Sequence, residues 1–184
     1  INITASADDA NSGLDIFEYS LDNSTWTSYT APLTLTEGTH NLSFWAQDSA
    51  GLFTQVDSAY YVDTRAPQIA GSLNGVHGTN GWFTSDVTLS ASASDPMPGS
   101  GMESFTYILN GSVETPYIEP LLLPDGQYTI QFNARDKAGL SYSIEQSVKV
   151  DTTQPLLQVA TTLPAWVKGT IPLNGTTSDD GSGL

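Results

Sequence analysis

Carboxylates stand ahead of a Ser-Gly pair three times in this chain. Asp8 and Asp9 precede Ser12-Gly13-Leu14, Asp95 precedes Ser100-Gly101-Met102, and Asp179 and Asp180 precede Ser182-Gly183-Leu184. Such loops gather carboxylates, serine hydroxyls and glycine-permitted backbone carbonyls, the hard oxygen donors of which Ca²⁺ takes about six to eight. Two further acids, Asp63 and Asp151, lie in Val-Asp-Thr segments and could approach these loops at one pole of a β-sandwich. The candidate Ca²⁺ ligands are therefore Asp8, Asp9, Asp63, Asp95, Asp151, Asp179 and Asp180. An ion held there would offset the repulsion among the acids and stiffen the place where two segments join. The spacing does not match an EF-hand loop. Asp, Ser and Gly are equally the residues of ordinary solvated turns, so both readings stay open.

Other reactive side chains form no recognisable set. Asp48 and Asp136 recur in Ala-x-Asp-x-Ala-Gly, where a carboxylate entering a hairpin accepts turn N–H groups, a structural role. His40 falls on an expected strand and His77 in the Gly-rich stretch Gly75–Gly78. No Ser-His-Asp set and no paired carboxylates recur at a catalytic spacing, so no enzyme is expected. The aromatics recur at matching strand positions, as Tyr29 and Tyr117 do, and read as packing. Trp45 is the exception, alternating against Phe44, and is the candidate for an outward, glycan-stacking ring. Among the Asn-x-Ser/Thr sequons, Asn23 and Asn110 lie in expected hairpin turns and are the candidate glycosylation sites.

The elements that position these residues repeat. Tyr19-Ser-Leu21 recurs as Tyr107-Ile-Leu109, Ala46–Gly51 as Ala134–Gly139, and Val62-Asp-Thr64 as Val150-Asp-Thr152, each 88 residues on. Trp82 and Val87-Thr-Leu89 echo at Trp166 and Ile171-Pro-Leu173, opening a third copy. A fixed period points to an array of similar modules. The proposed divisions are 1–66, lacking its first strand region, a complete copy at 67–154, and the start of a third at 155–184. Within the complete copy, Val87–Ala93 and Tyr128–Ala134 alternate apolar with small or polar residues, the period of a half-buried strand. Asn110-Gly111 and Pro124-Asp-Gly126 supply turns, and no helical period occurs. The expected fold is all-β, a tandem of β-sandwiches.

Composition bounds the function. With 20 acids against 5 bases the net charge is −15, which disfavours nucleic acid and anionic membrane surfaces. The chain has no cysteine, hence no disulfide, thiolate zinc site or thiol nucleophile. No apolar run approaches the roughly 20 residues that span a bilayer. Because residue 1 falls inside a copy, the chain reads as an excerpt of a longer array, and the lack of a visible leader says nothing about export. Head-to-tail completion between chains, giving a filament, is the rival explanation. It is disfavoured because the strand near Ile171 repeats the one near Ile3.

The combined pattern Tyr-x-Leu-Asp/Asn, Tyr-x-x-Pro-Leu, Ala-x-Asp-x-Ala-Gly and Val-Asp-Thr-x-x-Pro resembles bacterial Ig-like (fibronectin-III-like) tandem repeats. Repeats of this type occur in large surface proteins and beside secreted carbohydrate-active enzymes. Leu52 and Leu140 replace the Asn usual after Ala-Gly. The resemblance implies tandem Ig-like β-sandwiches of about seven strands per unit, forming an extracellular, cell-surface spacer, stalk or filament module with neighbouring repeats as partners and no shared catalytic residues. The alternative is a carbohydrate- or receptor-binding adhesin module with glycan partners.

Overall fold

The computed structural model describes residues 1–159, 166, 168–170 and 174–183, and every described element is a β-strand. The expected strand at 171–173 and Leu184 lie outside the described residues. Sixteen strands follow in chain order. The first copy holds β1 (Asn2–Ile3), β2 (Leu14–Leu21), β3 (Thr27–Ser28), β4 (Leu33–Thr34), β5 (Gly38–Asp48) and β6 (Phe53–Val62). The second holds β7 (Gln68–Asn74), β8 (Trp82–Phe83), β9 (Val87–Ser94), β10 (Met102–Leu109), β11 (Thr115–Pro116), β12 (Leu121–Leu123), β13 (Gly126–Asp136) and β14 (Ser141–Val150). β15 (Leu156–Val159) and β16 (Gly175–Ser178) begin the third.

Internal contacts gather these strands into two compact units. The first comprises Ile1–Gln68 with the loops Ser94–Glu103 and Arg135–Ser141. The second comprises Ile69–Ala93, Ser104–Ala134 and Tyr142–Leu184.

In the first unit the strands order β3-β2-β5-β6, all antiparallel, with β1 paired to β4. The register sets Tyr19 opposite Phe44 and Phe17 opposite Ala46, and shifts between Leu14 and Ile16. Leu35, Leu42 and Val62 are its buried aliphatic residues. Around them Phe17, Tyr29 and Phe44 close into an aromatic cluster, with centroids 5.1 to 5.9 Å apart. The tilted and edge-on geometries are those aromatic rings favour beyond simple area burial.

In the complete copy, β11-β10-β13-β14-β8 form one sheet and β12-β9-β7 another. Phe83, Ile130, Phe132, Val148 and Val150 from the first sheet share one core with Val87, Leu89 and Leu123 from the second. Two sheets burying one set of side chains is a β-sandwich arrangement. The alternation of β13 explains it: Ile130, Phe132 and Ala134 point inward while Thr129 and Arg135 are exposed. Phe105, Tyr117 and Phe132 rebuild the aromatic cluster of the first unit, with Phe105–Tyr117 at 5.2 Å and 58° against 5.1 Å and 58° for Phe17–Tyr29. Tyr29 Oη accepts the N–H of Ala5, just after β1, and Tyr117 Oη that of Ala91 in β9, so each ring's polar tip is tied to backbone. These three recurrent rings therefore pack against one another in each copy, whereas the recurrent Trp pair does not follow them. β15 and β16 pair antiparallel from Leu156↔Ser178 to Val159↔Gly175. Trp166 is exposed.

Candidate functional site

Each Ser-Gly loop is closed in the same way by its own carboxylate. Asp9 Oδ1 accepts the N–H groups of Asn11, Ser12 and Gly13 at 2.8 to 3.1 Å. Asp95 Oδ2 accepts Gly101 N–H at 2.6 Å, and Asp179 Oδ1 accepts those of Gly181 and Gly183. The closing glycines 13, 101 and 183 all hold positive φ, at 80°, 85° and 81°, a conformation that glycine adopts without a Cβ penalty. Hydrogen bonding from Ser12 above all holds the Asp9 carboxyl below its usual range. Asp8 and Asp180 are not among these loop acceptors.

The Val-Asp-Thr segments meet those loops. In the first unit Asp63 Oδ1 accepts Arg65 N–H at 3.1 Å, and its Oδ2 accepts Ser100 N–H at 2.8 Å. In the second unit Asp151 repeats this with Thr153 N–H at 3.0 Å and Ser182 N–H at 2.7 Å. A second acid braces each segment. Glu37 accepts the Thr64 hydroxyl and N–H and the Arg65 Nε at 2.8 Å, while Asp125 accepts Thr152 N–H at 2.7 Å and the Thr153 hydroxyl at 3.0 Å. Arg65 also donates to the Met97 carbonyl at 2.7 Å. All four carboxyls are held below their ordinary values, each chiefly by a serine or threonine: Ser100 for Asp63, Ser182 for Asp151, Thr64 for Glu37 and Thr152 for Asp125.

One carboxylate oxygen from each of Asp63, Asp95 and Asp136 falls within 4.8 Å of the other two, all three in the first unit. It is the one such convergence of three acids among the described residues. Asp63 and Asp95 were legible as candidates. Asp136 was not, because its turn role accounted for it: Oδ1 accepts Leu140 N–H at 2.9 Å, as Asp48 Oδ1 accepts those of Ala50 and Leu52. What no local motif could reveal is that Asp136 is fully buried and that its Oδ2 has no hydrogen-bond partner among the described residues. Asp95 Oδ1 is likewise buried and unpartnered there.

The remaining candidates lie elsewhere. Trp45 stacks on the exposed Phe53 at 4.1 Å and 13°, with the half-exposed Trp26 edge-on at 6.2 Å. Asn23 is exposed with φ of 58°. Asn110, at φ 50°, spends its Oδ1 on Thr129 N–H at 2.8 Å, as Asp22 Oδ1 does on Asn41 N–H. His40 Nδ1 lies 2.9 Å from Asp22 Oδ2 and its Nε2 3.2 Å from the Thr36 carbonyl, whereas His77 stacks near Phe83.

No family model and no curated protein matches this chain. Among solved structures it is similar to the Bacteroides ovatus mixed-linkage glucan utilization locus SGBP-B in complex with a mixed-linkage heptasaccharide. Identity is 12%, over 83% of this chain and 63% of that one, at a TM-score of 0.23. The chain thus spans less than two thirds of that structure, and the overlap is too slight to transfer a ligand. Among the described residues no helix is long and apolar enough to cross a membrane.

Proposed function

We propose that this chain is part of an extracellular array of tandem Ig-like sandwiches, of about seven strands each, that serves a cell-surface protein as a spacer, stalk or filament segment. It is non-enzymatic, and its partners are neighbouring repeats. The observation that supports this is the repetition of the segment joining one copy to the next. Asp63 and Asp151 each bind the third residue of their own Asp-Thr-x turn and the serine N–H of the next copy's loop. Glu37 and Asp125 brace them from equivalent positions. A joint rebuilt with the same atoms suits a chain whose stability is a sum of unit and nearest-neighbour terms.

Force spectroscopy on the chain tests the reading. Copies that serve mechanically unfold in separate events with contour increments of about 30 nm, the extended length of roughly 88 residues. A featureless extension at low force would count against it.

A glycan-binding module is the second reading, favoured by the partly exposed Trp26, Trp45 and Phe53 cluster on one sheet. Polysaccharide retention that Trp45→Ala abolishes would establish it. No retention on any polysaccharide leaves the spacer reading.

A further inference from the structure

We propose that Asp63, Asp95 and Asp136 form a binding site for a hard divalent cation, calcium by the character of its donors. The first observation is convergence: three carboxylates from three separate stretches of chain present oxygens within 4.8 Å of one another. The second is independent of it. Asp136 is 0% exposed, and its Oδ2, like Asp95 Oδ1, is sealed from solvent with no hydrogen-bond donor among the described residues. Buried polar oxygens are almost always satisfied, so a pair of orphans in one acidic cluster points to a missing positive partner.

The protein supplies no such partner. Among the described residues the ion pairs are His40–Asp22, Arg65–Glu37 and Arg135–Glu103, and none reaches these three acids within 4.0 Å. Arg65 acts on Asp63 through space, but its guanidinium is committed to Glu37 and the Met97 carbonyl, which leaves Lys137 to consider. It is exposed, and its Nζ lies toward Gly101 instead, 3.7 Å from where a Cβ on that glycine would sit. Burying adjacent like charges is tolerated only when they are paired, protonated or bound to a metal. Calcium accepts irregular all-oxygen sets at about 2.3–2.6 Å, so oxygens up to 4.8 Å apart can share one ion, with water completing the shell. Magnesium, at about 2.0–2.1 Å and with strict octahedral demands, fits such a set less well.

The site assigns Asp136 a second role beside its turn. Oδ1 keeps the hairpin through Leu140 N–H while Oδ2 is free for the ion. Matching parts recur along the chain: Asp9 and Asp48 in the first copy, Asp151 at the end of the complete copy and Asp179 in the third. The site depends on three carboxylates and not on what the array carries, so it stands apart from the spacer reading.

Calorimetric titration of the whole chain with CaCl₂, paired with melting curves in CaCl₂ and in EDTA, tests the proposal. The expected result is binding of one ion in the range of extracellular modules, about 10⁻⁴–10⁻³ M, with a Tm raised by CaCl₂. Asp136→Asn keeps an oxygen for Leu140 N–H, so the variant should fold with an unchanged far-UV spectrum yet lose at least tenfold in affinity. Asp95→Asn should behave alike, and Asp57→Asn, a surface charge control, should bind as the parent does. Binding that survives all of Asp63→Asn, Asp95→Asn and Asp136→Asn would overturn the assignment. So would a parent chain that shows neither heat nor a Tm shift at 10 mM, roughly ten times the weakest expected Kd.

Discussion

Single side chains in this protein carry structural roles that their neighbours define. His40 is the clearest case, because one carboxylate sets its titration. Its hydrogen bond to Asp22 raises the imidazole pKa above the ordinary 6.5, against an opposing loss of hydration, and the same bond holds Asp22 below 3.8. A raised histidine pKa contributes stability that is complete below the unfolded value and is lost as pH rises through the folded one. The depressed Asp22 contributes above its unfolded value and loses that as pH falls through the folded one. The pair therefore contributes in full between the two unfolded values, 3.8 and 6.5, and fades outside them as each group passes its folded pKa. An NMR titration of the imidazole protons should place the His40 midpoint above 6.5. Asp22→Asn, which puts in the first hairpin the kind of residue that Asn110 supplies in the second, should bring it down while Asn41 N–H keeps an acceptor. A parent midpoint at or below 6.5 would contradict the arrangement.

At the scale of elements, conformation decides more than space does. An ideal Cβ on Gly101 meets nothing nearer than the flexible end of Lys137 at 3.7 Å, yet φ there is +85°. Gly101→Ala should accordingly cost about 1–2 kcal/mol by left-handed strain alone, and Gly101→Asn less, because Asn visits that region more readily. Denaturant unfolding of the two variants checks the order; equal losses would mean that sterics and not φ set the cost. The strands were legible because alternation in β13 and turn residues such as Asn110-Gly111 state their period locally. That Tyr29 and Tyr117 pack was legible from recurrence, whereas their contacts with Phe17 and Phe105 were not. Trp45 was legible as an outlier from the core pattern, but its stacking on Phe53 was not, since cross-strand neighbours depend on register. Asp136 escaped for a related reason. Its local motif accounts for one oxygen, and only the approach of Asp63 and Asp95 gives the other a purpose.

For the whole molecule, the acidic excess and the repeated joint pull in opposite directions. A net charge of −15 keeps copies soluble and mutually repelling, while each joint commits carboxylates to specific donors in the adjoining copy. If those commitments outweigh the repulsion, neighbouring copies stabilise one another. The first compact unit bears on this directly: the loops Ser94–Glu103 and Arg135–Ser141 of the complete copy group with Ile1–Gln68. Cutting the chain after residue 66 therefore strips Ser100 N–H and the Met97 carbonyl of Asp63 and Arg65, and removes one of the two acids grouped with Asp136. A fragment of residues 67–154 should melt below a fragment of residues 1–154, by on the order of 5 °C for a domain of this size. Both are to be compared in EDTA, so that the difference reports hydrogen bonds and packing and not ion binding. Asp63→Ala in the longer fragment should recover part of the same loss. Identical transitions for the two fragments would show the copies to be thermodynamically independent, and the joint would then be a tether without mechanical weight.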